Sequence, residues 1–99
     1  MEIKIQSVRF DADKKLLEFI KTKVEKLTQV ADNIIDIEVI LKIEKSDINE
    51  NKIVEITVNI PKITGIFAKR SSKTFEESID LVCDAVRTQL KKQRGRQKE

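Results

Sequence analysis

The chain has no histidine, tryptophan or tyrosine, and only one cysteine, one proline and two glycines in 99 residues. Without histidine, no serine or cysteine can be activated by an imidazole base. The same lack excludes a clustered Cys/His metal site. Cys83 is alone, so no intrachain disulfide forms, and an unpaired thiol suits a reducing cytosol. Two glycines cannot build a glycine-rich phosphate loop. No apolar run approaches the roughly 20 residues that cross a bilayer. The opening "MEIKIQSVRF" lacks the apolar core of a secretory signal. The expectation is a cytoplasmic protein that is not an enzyme, with no cofactor, no metal, no membrane partner and no small-molecule substrate.

What is present is charge, unevenly placed. Residues 31–60 carry three basic and seven acidic side chains, a balance of −4. Residues 61–73 hold Lys62, Lys69, Arg70 and Lys73 with no acid, or +4. Residues 74–84 hold Glu76, Glu77, Asp80 and Asp84, or −4, and residues 85–99 hold six bases and one acid, or +5. Local fields of this kind matter more to a partner than the small net charge of +3. The chain ends "QLKKQRGRQKE", with Lys91, Lys92, Arg94, Arg96 and Lys98 against Glu99 alone. A solvated tail is the plain reading; a polyanion at that end is the sharper one.

Periodicity sets the fold expected. Ile3 and Ile5 alternate with Lys4 and Gln6, as in a half-buried strand. Leu16, Ile20, Val24, Leu27 and Ala31 recur at three or four, predicting a helix from about Asp13 to about Val30 with Asp11 or Asp13 as N-cap. Period two returns with Ile35, Ile37, Val39, Leu41 and Ile43 inward, then a turn over "SDINEN", then Val54, Ile56, Val58 and Ile60 inward. Pro61 ends that strand, "KITG" turns the chain, and "IFAKR" is a fourth strand. Phe75, Ile79, Val82, Cys83, Val86 and Leu90 line one face of a second helix, opened by the capping-box pair Thr74 and Glu77. The order β-α-β-β-β-α predicts an α+β two-layer sandwich: a four-stranded sheet with two helices on one face and a charged outer face. Residues 1–93 form the domain and 94–99 a basic C-terminal tail.

Few residues offer chemistry. Cys83 falls on the apolar helix face and reads as a packing thiol. Asp80 and Asp84, four apart, have the spacing to share a cation but read first as a solvated helix face. The bases are the stronger signal. Lys15, Lys23 and Lys26 lie along one flank of the first helix beside Phe19, and Arg87, Lys91 and Arg94 form one stripe on the second, with Lys92 pointing elsewhere. If the helices lie side by side, both contribute to one basic surface, and Arg96 extends it. Polyanionic backbone is the natural partner. The four phenylalanines mostly suit a core, with Phe19 and Phe67 as candidates for partial exposure, so a backbone reader is expected and not a base stacker.

Three stretches carry a resemblance. "EFIKTKVEKL" (Glu18 to Leu27), "VILKIEK" (Val39 to Lys45) and "SIDLVCDAVRTQLKK" (Ser78 to Lys92) together resemble the bacterial ribosome hibernation-promoting factors, also described as ribosome-associated translation inhibitors. The resemblance implies a non-enzymatic protein that binds ribosomal RNA of the small subunit, in the channel between head and body. There it would overlap the paths of messenger and transfer RNA and silence translation in stationary phase or stress. It places Lys23 and Lys26 at the family's basic positions on the first helix, and Lys91 and Lys92 in its basic run after "QL". The chain resembles the short members that end soon after the second helix. It departs at Thr88, where many members have arginine, and at Thr74-Phe75-Glu76, where Asp-Met-Tyr is frequent. Whether a second small hibernation factor assists is left open. A general double-stranded-RNA-binding module shares the same element order and is the alternative. A protein-interaction domain using the sheet's outer face is a third reading.

Overall fold

The alternating isoleucines at the N-terminus become strand β1 (Glu2–Val8). Helix α1 (Lys14–Glu25) follows, tightening into a 3-10 turn (Lys26–Gln29). Then come β2 (Asp36–Ile43), β3 (Lys52–Ile60), β4 (Ile63–Ser72) and helix α2 (Phe75–Gln97). The computed structural model describes residues 1–44 and 50–97, and at residues 63, 64 and 94–97 the backbone alone. The turn expected over "SDINEN" falls mostly outside the described residues. Its two ends meet where Glu44 N donates to Asn51 O at 3.0 Å.

The sheet order is β1-β2-β3-β4. β1 lies parallel to β2, with α1 as the crossover, and the other two pairs are antiparallel. Strands β1 and β4 therefore point the same way, and both helices start at the same end of the sheet. There Phe10 and Phe75 stack with ring centroids 5.2 Å apart. Ile37, Val39, Leu41, Val54, Ile56 and Val58 face the helices and join Ile20, Val24, Leu27, Ile79, Val82, Val86 and Leu90 in one core. This is the α+β sandwich the periodicity predicts, with both helices on one face.

Caps explain where the helices begin. The Asp13 carboxylate accepts from Leu16 N at 2.7 Å, satisfying a first-turn amide. At α2, Thr74 Oγ1 accepts from Glu77 N at 3.1 Å, which is half of a capping box. The other half falls to Ser72, whose hydroxyl accepts from Thr74 N at 3.3 Å. Ser78, fully buried, donates to Lys52 O at 2.6 Å and lies 3.1 Å from the Ser72 hydroxyl. These two buried serines tie the start of α2 to the start of β3, and every polar atom in the knot has a partner.

Several expectations shift. The first helix runs α-helical only to Glu25, its last turn being 3-10, a frequent way for a helix to end. Ile35, one residue before β2, and Ile43, its last residue, are 55% and 45% exposed; Ile34 is buried instead. β4 is longer than "IFAKR", and the turn is the two-residue Pro61–Lys62, not "KITG". Proline fixes the first φ near −65° and Lys62 takes φ 69°, the backbone signature of a type II turn with lysine where glycine is favoured. A register irregularity after Val58 then brings Gly65 against Asn59. A side chain at Gly65 would stand 2.9 Å from Asn59 Oδ1 and 3.1 Å from Thr57 Cγ2.

Candidate nucleic-acid interface

Helix length decides where the basic residues end up. At 1.5 Å per residue, the 23 residues of α2 span about 35 Å, whereas the 12 of α1 span about 18 Å. Leu90 is the last core residue of α2. Beyond it α2 adds no described residue to the core, and Lys91 and Lys92 are exposed. Residues 94–97 belong to the same helix in backbone; the side chains of Arg94 and Arg96 lie outside the described residues.

The stripe Asp80, Asp84, Arg87, Lys91 is spaced by four, three and four, so it forms one line along α2. It starts acidic and ends basic, complementing the helix dipole along its length. α1 packs beside it. Lys23 reaches across with Nζ 3.3 Å from Asp80 Oδ1, and the same ammonium stands 5.5 Å from the centroid of the Phe19 ring. Arg87 Nη1 donates to Asp84 Oδ1 at 2.7 Å within α2. Asp80 and Asp84 each hold a separate basic side chain.

The candidate bases therefore divide. Lys23 and Arg87 are half-buried and paired with carboxylates. Lys15, Lys26, Lys91 and Lys92 are exposed, and among the described residues none has a carboxylate oxygen within 4.0 Å. Lys15 and Lys23 share the α1 flank with Phe19, and Lys26 opens the 3-10 turn below them. The Asp84–Arg87 pair was readable from its spacing of three. Nothing local in the sequence marks the Lys23–Asp80 pair, because the partners are 57 positions apart (80 − 23) and meet only through helix packing.

Other surfaces are less organised. The outer sheet face is a mixed lattice: Lys42 Nζ lies 2.9 Å from Glu55 Oε2, Lys4 lies 4.0 Å from Glu2, and Asn59 donates to Asp36. Phe67 on that face is 50% exposed, and its carbonyl accepts from the Gln89 side chain at 2.9 Å, tying α2 to the edge strand. Lys69, Arg70 and Lys73 are exposed along and just after that strand. Cys83 is buried in the core, and burial pushes its thiol up to about 11, the nearby Arg87 only partly opposing this. A shallow depression of about 200 Å³ lies where the loop after the 3-10 turn meets Ile60, Leu90 and Gln93.

The profile of the sigma 54 modulation protein / S30EA ribosomal protein family matches residues 3–98. Among solved structures, the chain is similar to a ribosomal subunit interface protein from Coxiella burnetii, at 27% identity and TM-score 0.85, covering 96% of this chain and 99% of that one. It also shares the fold of the N-terminal domain of Protein Y from Thermus thermophilus, at 19% identity and TM-score 0.78, covering 93% of this chain and 98% of that one. No curated protein matches.

Proposed function

The chain belongs to the sigma 54 modulation protein / S30EA ribosomal protein family, and on that footing we propose that it is a ribosome-associated hibernation factor. It seats on the small subunit against ribosomal RNA, overlaps the messenger and transfer RNA paths, and stops translation under stress or in stationary phase. The family match over residues 3–98 carries this reading. Likeness to a ribosomal subunit interface protein over 96% of the chain supports it. So does the surface chemistry. Exposed Lys15 on α1 and Lys26 on the 3-10 turn after it, with Lys91 and Lys92 in the C-terminal part of α2, supply charge suited to phosphate. Lys23 and Arg87 join them once their carboxylates are displaced; Arg94 and Arg96 extend the same helix.

The test is co-sedimentation with separated ribosomal subunits, with bare duplex RNA as competitor, alongside translation in a purified system. The protein should pellet with small subunits, resist an equal mass of duplex, and inhibit translation as it saturates the ribosomes. If it pellets with neither subunit, the proposal fails. If duplex competes as well as subunits do, the general double-stranded-RNA reading replaces it.

A further inference from the structure

The basic surface carries its own carboxylates. Asp80 sits 3.3 Å from Lys23 Nζ and Asp84 2.7 Å from Arg87 Nη1, on the same line of α2 that continues to Lys91. We infer that Asp80 and Asp84 act as specificity determinants for the polyanion, occupying the phosphate positions on Lys23 and Arg87 and barring lengthwise docking on uniform duplex. The inference rests on the helical surface being the RNA-binding surface.

Both pairs are built to exchange. Their side chains keep 35% and 55% exposure in one case and 32% and 75% in the other. Exposed pairs of this kind are weak and screened by salt, so a phosphate can displace either carboxylate. Displacement does not remove the acid. It leaves a negative charge beside the incoming phosphate, a repulsion that a target can bear at one or two isolated phosphates but not along a continuous row of them.

Length makes the constraint strict. From Asp80 to Lys91 the stripe runs 11 residues, about 16 Å. Double-stranded DNA carries one charge for about every 1.7 Å of axis with both strands counted, and duplex RNA is similarly dense, so a length of about 16 Å holds about ten charges around its circumference and the helix meets those on one side. A helix laid along such a duplex would bring phosphate to the acidic half as surely as to the basic half. A folded RNA surface with unevenly placed phosphates can instead set single phosphates on Lys23, Arg87, Lys91 and Lys92 and keep further ones off Asp80 and Asp84. The carboxylates thus penalise bare duplex more than the intended site.

The experiment compares the parent with Asp80→Asn/Asp84→Asn on two targets, a bare RNA duplex and isolated small subunits, across a salt series. The asparagines keep shape and remove charge, and a thermal melt confirms folding of each variant. Duplex affinity should rise about five- to ten-fold at low salt, with a salt slope steeper by about one to two units as Lys23 and Arg87 become available. Affinity for small subunits should rise by less than half of that factor. An unchanged or weaker duplex affinity overturns the inference, and so does an equal gain on both targets. Should the double variant melt too low to assay, Asp84→Asn alone, whose pair lies within one helix, gives the same comparison with about half the effect. Lys91→Glu/Lys92→Glu is the control for the underlying reading: if it binds small subunits like the parent, the helical surface is not the interface.

Discussion

Reversing Lys26 and Lys91 should abolish much of the binding and almost none of the stability. The two were chosen because they are exposed, sit on different helices and have no described carboxylate partner. Lys23 is a poor choice for this purpose. A glutamate there would face Asp80 at the α1–α2 contact and forfeit the Phe19 contact, so lost binding and lost stability would be confounded. At Lys26 and Lys91 each change should stay within about 0.5 kcal/mol of the parent's stability. Six described bases engage the polyanion if Lys23 and Arg87 release their acids, which sets a log–log salt slope of about −5.4. Removing two contacts brings it to about −3.6. Between 50 and 200 mM salt a slope of about −5.4 loses roughly 1,800-fold in affinity, and a slope of about −3.6 roughly 150-fold. Co-sedimentation with small subunits at four or five salt concentrations reads these slopes, and circular dichroism with thermal melting checks the fold. A folded double variant with the parent's slope and affinity would refute the electrostatic account and move attention to the outer sheet face around Phe67.

The packing around Cys83, Ser78 and the β3–β4 turn sets the remaining expectations. Cys83→Ser should lower stability by about 1–3 kcal/mol, since a hydroxyl replaces a buried thiol, while leaving ribosome association intact in the folded protein; urea unfolding and co-sedimentation measure the two. The thiol titrates near 11 when folded against an ordinary value of 9.0, so the parent should lose stability between about pH 9 and 11 relative to Cys83→Ala, and show no difference in slope below pH 9. Ser78→Ala removes the bond to Lys52 O and should cost about 1–3 kcal/mol, with Ser72→Ala non-additive to it in a double-mutant cycle by urea denaturation. Lys62→Gly should relieve the φ of 69° and raise stability by up to about 1 kcal/mol, whereas Gly65→Ala should lower it by about 1 kcal/mol or more, because Asn59, held by Asp36, cannot yield freely; thermal melts decide both signs.

Much of this protein was settled by local pattern. The alternation through Ile37, Val39 and Leu41, and through Val54, Ile56 and Val58, made strands whatever their neighbours. The stripe from Phe75 to Leu90 made an amphipathic helix with its own cap at Thr74. Such signals need only residues within a few positions, since side-chain direction repeats every two residues in a strand and every 3.6 in a helix. The order of the elements, one covered sheet face and most of the core followed from them. Tertiary structure decided what distance along the chain conceals. Ile35, just before β2, and Ile43, its last residue, stand in solvent although the period assigned them inward, because a period sets side-chain direction and not what covers it. Proline with lysine made the β3–β4 turn two residues earlier than its glycine suggested. Above all, Lys23 read as a free cation on a basic flank until α2 was laid beside α1 and set Asp80 against it. A charge's effective field depends on its neighbours in space, and helix packing chooses those neighbours, so the list of bases and the local Asp84–Arg87 pair were legible in the sequence and the Lys23–Asp80 pair was not.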